Sequence, residues 1–487
     1  MRFHCAAAAT LAFWAACNLS NAAEDHPVVI TLKTHIKPRS QGGVRYNYIP
    51  FNVPEDATRV DLWNSYDKAG GKNVVDLGVF DSRAVDVTRS LLGYRGKSPV
   101  STNGAFLSIS AAAYGYTRGP IPGGRWQLYL DAYKVAEPGV DVAVTVVIST
   151  GGATTQISAP VQHSEVARVS PGWFKGDLHM HTLHSDGHIS VPAIAGVAEN
   201  RGLDFICMTD HNTASHHADI ARLNTGSKLL IIPGEEITTD GGHIGACGLP
   251  LGTILEFRIN AHDDRGMTKV VSEGHSLNAL LTINHPFADC QACDWSFGDN
   301  RGRLDAIEVW NSTWDETDQR ALEWWDAQLR HGFRIPAVAA SDTHDAQPGN
   351  PTTVVWAKDL SQAEILRGIR GGHVYMMSRP DAGQLEFTAQ VDPKRPRAIP
   401  GDQITLDHAA EIHFSVQCSL RSGAAGAVAK LVGSEQSTIG LPIAPNGEIH
   451  WNGAVACHRA SYFRIEIRDA RRNMLILSNP IFIRLHP

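Results

Sequence analysis

The chain has 487 residues, enough for roughly three domains at about 150 residues each. Hydrophobic residues make up 43% and charged ones 19%, with ordinary Gly and Pro, which excludes wholesale disorder and a fibrous chain. The 43 basic and 50 acidic side chains leave a net charge of −7 without any basic tract, so nucleic acid and anionic membrane surfaces are not expected partners.

The first segment reads as a secretory leader, residues 1–23. Arg2 precedes an apolar run from Cys5 to Cys17, and Ser20-Asn21-Ala22-Ala23 supplies a small-residue cleavage site. The run is too short to span a bilayer, and no later stretch is long and apolar enough to do so. An exported protein, periplasmic or extracellular, is expected. Trp14-Ala15-Ala16-Cys17 is a poor alternative, a lipoprotein box with an ill-suited Trp. Export permits disulfides: Cys290 and Cys293 suit a small loop disulfide, and Cys418 and Cys457 could pair across the C-terminal region.

Residues 24–168 read as a β-sandwich. Runs such as Val28–Leu32, Trp126–Leu130 and Val142–Ile148 are separated by Gly, Pro, Asn and Asp clusters, with no convincing helix. Residues 169–385 alternate strand-like and helical runs, which predicts a parallel α/β domain with helices over Val191–Asn200, Lys269–Leu280, Thr317–Arg330 and Gln362–Ile369. Residues 386–487 return to strands: Glu411–Val416, Tyr462–Arg468 and Met474–Ile483, with a hairpin turn over Arg468–Asn473.

Chemistry concentrates in the middle region, which holds 13 of the 23 histidines between His179 and His344. Its apolar runs end in metal-binding residue types. Asp177-Leu178-His179-Met180-His181 is followed by Ser185-Asp186-Gly187, and later come Thr209-Asp210-His211, Gly234-Glu235-Glu236, Asn284-His285-Pro286 and Ser341-Asp342-Thr343-His344. His243 opens a further short run. In a parallel barrel the carboxyl ends of the strands converge, so these residues would meet. On an extended chain positions i and i+2 share a face; His179 and His181 can therefore share one ion, as can Asp342 and His344. A carboxylate such as Glu236 can bridge two ions. His184, His188, His216, His217, His262 and His275 fall outside the pattern and read as solvated or supporting residues. Asp177 and Asp210 precede ligands and are expected to orient them. No G-x-S-x-G elbow, Walker A loop, G-x-G-x-x-G or H-E-x-x-H accompanies them.

In this order the motifs resemble the polymerase and histidinol phosphatase (PHP) metallohydrolase superfamily, over roughly Gly176 to Pro380. An amidohydrolase also opens with H-x-H but lacks the closing D-x-H. The exported layout and the closing Arg464–Asp469 and Leu477–Ile481 segments resemble the CehA/McbA-type branch, some of whose members are named for carbaryl hydrolysis. The resemblance implies a distorted (β/α)7 barrel between two β-sandwiches, with two or three Mn, Zn or Fe ions. It implies His179, His181, Glu236 and Asp342 at the first ion, and Glu236 with His243 and His285 at the second. Asp186, His211 and His344 would hold the third. Glu236, Asp342 and His285 are the expected catalytic residues.

The expected activity is hydrolysis of a small-molecule ester by a metal-bound hydroxide, since coordination lowers the pKa of water from about 15.7 towards 7. Three carboxylates against two or three divalent ions favour an anionic phosphoester; carbamates or carboxylic esters are the second reading. Lys175, Arg258, Arg301 and Arg379 read as solvated charges rather than phosphate donors, while Trp295, Phe297, Trp310 and Trp314 could line an apolar pocket. The long connection from His243 to His285 could form a lid. A reading of another class is an exported binding protein around a structural metal.

Overall fold

The computed structural model describes residues 27–95, 104–151, 168–224, 228–290, 292–299, 303–421, 425–434 and 437–486. The expected leader, its Trp14–Cys17 box and Arg301 lie outside them. No helix among the described residues is long and apolar enough to cross a membrane.

Two four-stranded antiparallel sheets begin the fold. One orders Val28–Ile36, Val140–Thr150, Ala57–Tyr66 and Gly104–Ser108; the other orders Tyr46–Val53, Gly124–Lys134, Val74–Phe80 and Leu91–Arg95. Alternation turns Val142, Val144, Val146 and Ile148 of the first inward. They share one apolar core with Val75, Val79, Leu128 and Leu130 of the second.

The central region runs β1 (Gly172–Asp177), α1 (Val191–Asn200), β2 (Phe205–Met208), α2 (His217–Leu223), β3 (Leu230–Thr238), β4 (His243–Cys247), α3 (Asp264–Ser276) and β5 (Leu280–Asn284). It continues through β6 (Ala306–Asn311), α4 (Glu316–Arg330), β7 (Ala337–Ala340), β8 (Thr352–Ala357), α5 (Gln362–Arg370) and β9 (Val374–Met377). The expected helices form. Asp263 starts α3 five residues earlier than expected by accepting the Gly266 N–H at 3.0 Å, and Asn278, at φ +59°, follows its end. The short α2 was not expected; seven residues carry too little periodicity.

The strands are ordered β7-β6-β5-β4-β3-β2-β1-β8-β9. The sheet is mixed, which corrects the all-parallel expectation. The pairs β7/β6, β6/β5, β3/β2 and β2/β1 are parallel, but β4 runs antiparallel to both neighbours, as does β8. The sheet also curls. Beyond β1 and β7 the Asp342 N–H donates to His179 O at 3.0 Å and the His181 N–H to Thr343 O at 2.9 Å. Met180 and Thr343 thus pair in parallel, joining distant strands at one end.

The C-terminal strands do not stand apart. Met474–Ser478 pairs antiparallel with β9, extending the central sheet into Ser461–Arg468, Val428–Gly433 and Thr438–Leu441. A separate three-stranded sheet, Gly383–Gln390, Ala410–Leu420 and Glu448–Cys457, covers this extension across a second core. The turn over Arg468–Asn473 joins two paired strands, as expected.

Cysteine pairing differs from expectation at one point. Cys290–Cys293 is a disulfide, but the second bridge joins Cys207 of β2 to Cys247 of β4, while Cys418 and Cys457 are buried free thiols. Their strands are neighbours in the wrong register: Cys418 faces Ile449 and Cys457 faces Ala410. Eight residues of ladder (418 − 410) therefore separate them, about 26 Å.

Candidate metal centre

The curled sheet brings every expected ligand to one end. β1, β2, β3, β5 and β7 deliver theirs at or just beyond their carboxyl ends. His243 stands instead at the start of β4, opposite Asn284 and Thr238. Because β4 is antiparallel, its beginning lies where its neighbours end. Two candidate ligand positions adopt left-handed backbone, Asp342 at φ +49° and His285 at φ +25°. Such strain persists only where surrounding structure over-determines it.

Glu236 is the hub. It is buried, and its Oε1 lies 3.1 Å from His179 Nε2, 3.1 Å from His243 Nδ1 and 3.3 Å from His285 Nε2. Its Oε2 lies 2.8 Å from His211 Nδ1 and 3.5 Å from His181 Nε2. Asp342 Oδ1 is 3.0 Å from His181 Nε2 and 3.3 Å from His179 Nε2. Asp186 faces His344 at 3.2 Å, His211 at 3.5 Å and His181 Nδ1 at 3.7 Å. His181 therefore lies between two groups of candidate ligands, a position its sequence spacing did not reveal.

The donors fit cations. The Nε2 atoms of His179 and His181 face each other at 3.1 Å, and at most one proton can lie between them. Two donors on one ion at about 2.0–2.1 Å lie roughly 3.0–3.4 Å apart, close to the separations seen among His179, His181, Glu236 and Asp342. Tautomers agree. His344 Nδ1 donates to its neighbour Asp342 O at 2.9 Å, and His179 Nδ1 meets Glu308 Oε2 at 3.1 Å, which turns each Nε2 towards the cluster.

The same proximity sets the protonation pattern of these side chains. Burial opposes charge on Glu236, Asp342 and Asp186, yet the surrounding imidazoles hold all three well below the ordinary carboxylate range. Burial, with His211 and His344 nearby, pushes His181 down to about 4. Burial likewise opposes charge on His344, but Asp186 outweighs it and raises the imidazole to about 9.

Several supporting residues escaped the sequence. Glu308 lies mid-strand in β6; a lone carboxylate inside the apolar run Ala306–Trp310 was the available signal. Asn284 donates to Glu236 Oε1 at 3.1 Å, and Cys293 Sγ lies 3.9 Å from His243 Nε2. Asp177 and Asp210 brace the segments that carry the candidate ligands rather than the candidate imidazoles themselves, and Asp210 Oδ2 also lies 3.4 Å from His216 Nδ1. Asp177 accepts the N–H groups of His179, Ser341 and Gly349, and Asp210 accepts that of Thr182 and the hydroxyls of Thr182 and Ser185.

Among the histidines outside the pattern, His216 and His217 are buried and bind the Gly234 carbonyl at 3.1 and 2.9 Å, while His188 is exposed beside Asp345. Lys175, Arg258 and Arg379 are engaged with Pro380 O, Glu256 and Asp381. Trp310 and Phe297 are buried in the core, with Trp295 and Trp314 packed partly buried against it. The connection between β4 and β5 is held down, with Phe257 stacked on Tyr94 at 5.5 Å.

No family model and no curated protein matches the chain. Its structure is similar to PHP-like metal-dependent phosphoesterases and to an amidohydrolase. A two-domain Bacteroides vulgatus protein containing a PHP-like metal-dependent phosphoesterase, assigned by prediction, shares 18% identity over 67% of this chain and 100% of its own, with TM-score 0.38. A Bifidobacterium adolescentis protein, provisionally described as a metal-dependent phosphoesterase, shares 16% identity over 40% of this chain and 94% of its own, with TM-score 0.28. A Chromobacterium violaceum amidohydrolase with bound sulfate and no metal shares 16% identity over 35% of this chain and 87% of its own, with TM-score 0.26.

Proposed function

We propose that this protein is an exported metal-dependent hydrolase of phosphoesters. In this reading the curled central sheet is a distorted (β/α)7 barrel of PHP type and CehA/McbA-like branch, flanked by β-sandwiches. One observation carries it: Glu236, fully buried, stands within 3.5 Å of five imidazoles, with Asp342 and Asp186 on either side. Such convergence of acids and bases has no packing rationale; a buried polar cluster of this density needs cations to satisfy it.

His179, His181, Glu236 and Asp342 would hold one divalent ion, Glu236, His243 and His285 a second, and Asp186, His211 and His344 a third, with His181 Nδ1 beside it. When bound, Mn, Zn or Fe ions supply Lewis acidity and a water acidified towards neutral pH. The chain's own part is positioning. Glu308 fixes His179, Thr238 Oγ1 holds His211 Nδ1 at 2.5 Å, and Asn284 steadies the hub carboxylate. Three carboxylates face the ions and a fourth, Glu308, stands behind His179; against these four charges three divalent ions leave a positive centre and two a neutral one. Preference for an anionic ester therefore depends on filling the third site.

The test combines metal analysis with chelation, rescue and a side-by-side assay on p-nitrophenyl phosphate, bis-p-nitrophenyl phosphate and 1-naphthyl N-methylcarbamate. Bound metal, loss of turnover on chelation and recovery with Mn or Zn are expected, with a phosphate ester preferred. A metal-free protein, or hydrolysis indifferent to chelation, overturns the enzyme reading in favour of a binding protein. Turnover of the carbamate alone overturns the substrate assignment and leaves the metal centre standing.

A further inference from the structure

One side chain of the N-terminal sheets comes next to the candidate metal centre. Arg95, at the end of the Leu91–Arg95 strand, crosses to the central region and donates from Nε to Ser185 O at 3.4 Å, next to the ligand Asp186. Nearby contacts fix this junction. Tyr114 packs edge-on against His184 at 4.8 Å, the Gly115 N–H donates to Ser215 Oγ at 3.1 Å, and Thr213 Oγ1 donates to Gly115 O at 3.2 Å. The loop so gripped begins just beyond the ligand His211.

Arg95 is half-buried, yet among the described residues its guanidinium makes one hydrogen bond, the long one to Ser185 O, and has no carboxylate within ion-pair distance. Three other buried or half-buried arginines are paired, Arg45 with Asp131, Arg258 with Glu256 and Arg464 with Asp326, whereas Arg201 has only the Asn350 amide oxygen. Withdrawing a guanidinium from water is costly, and burial lowers its pKa even though Tyr116, Asp210 and Asp186 act from a distance to raise it. Beside it lies a cavity of about 130 Å³, walled by Tyr66, Lys68, Asp76, Arg95, Tyr114 and Tyr116. Asp76 is the acid of that wall, and the two cations Lys68 and Arg95 outnumber it. The five donors of a guanidinium suit carboxylate or phosphate oxygens.

We propose that Arg95 and this cavity form a remote anion subsite, through which the N-terminal sheets select ligands carrying a second carboxylate or phosphate away from the group held at the metal centre. The inference rests on the metal centre but not on which ester is cut. The probes are linear α,ω-dicarboxylates of three to seven carbons and the matching monocarboxylates, titrated calorimetrically into the full-length, metal-loaded protein. One dicarboxylate length should bind roughly ten-fold or more tighter than its monocarboxylate, as a two-point charged contact does. Arg95→Met should abolish that preference, and Arg95→Lys should restore part of it, with metal content and melting temperature of both variants matching the wild type. In kinetics, Arg95→Met should raise KM for 4-carboxyphenyl phosphate and leave kcat on phenyl phosphate within about two-fold. Equal binding of mono- and dicarboxylates by the metal-loaded wild type, or a preference that survives Arg95→Met, overturns the subsite alone. A wild type that holds no metal sinks the metal centre and the subsite together.

Discussion

Glu236 shows how much one side chain can concentrate. Its two oxygens serve five imidazoles, so Glu236→Ala should release metal and lower kcat/KM by more than any single histidine change, roughly 100-fold or more. Asp186→Ala, which strips only the third group, should cost about ten-fold or less. Metal content and turnover of the two variants check this, and equal small losses would refute the hub. His217 tests a different property of burial. The Gly252 N–H donates to its Nδ1 at 3.0 Å, so its Nε2–H must donate to Gly234 O, and the ring has no room for a second proton. Burial, helped by His216, pushes it down to about 3. Above the unfolded value of about 6.5 both states are neutral. Below it the unfolded chain takes a proton that the folded one refuses, so stability is lost as pH falls towards 3. Between pH 7.5 and 5 this one group should cost about 2 kcal/mol. Urea unfolding of His217→Gln should show a shallower loss than wild type over that window; identical slopes would exclude His217 as the source.

At the scale of elements, what matters is which end of a strand meets the site. Parallel strands deliver ligands at their carboxyl ends, and the antiparallel β4 delivers His243 at its start, because reversing a strand exchanges its ends. The i, i+2 reading of His179 and His181 holds in geometry, since both imidazoles face Glu236. β4 is also tied to β2, across β3, by the Cys207–Cys247 disulfide, which closes a loop of 40 residues. Chain-entropy arguments put its contribution at about 4 kcal/mol, by restricting the unfolded chain. Cys207→Ala/Cys247→Ala should therefore lower the denaturation midpoint markedly. Reduction of the wild type should match it, whereas Cys418→Ala, a free thiol in a separate core, should leave the response to reductant unchanged.

Across the whole molecule the domains are locked by buried charge. Arg45 donates to both oxygens of Asp131, at 2.6 and 3.0 Å, and spans to Thr239 O at 3.0 Å in the central region. Tyr94 OH adds a fourth bond, to Asp131 at 2.9 Å. Breaking such a pair leaves an uncompensated buried charge, so Arg45→Met should cost about 3–5 kcal/mol in urea unfolding. The double change Arg45→Met/Asp131→Leu should recover much of this. Failure of the double variant to recover would mean that the bond to Thr239, three residues past Glu236, carries the stability. At the opposite edge Asn479 receives the Ala337 N–H and returns a bond to Ala337 O, both at 2.8 Å, so the C-terminal strands brace β7, which leads into Asp342.

Local pattern alone determined the β–α/β–β order of the chain, the four longer helices and the full set of converging ligand types. Those features rest on hydrophobic period, caps and the i, i+2 geometry of a strand, all of which act over a few residues. Glu308 behind His179, the Cys207–Cys247 bridge, the register that keeps Cys418 from Cys457, the reversal of β4 and the placing of Arg95 beside Asp186 were decided only by the tertiary structure. Each depends on which strands become neighbours and in what register, and a one-residue slip would turn every side chain of a strand to its other face. That choice is made by burial summed over the whole core, which no short stretch of sequence contains.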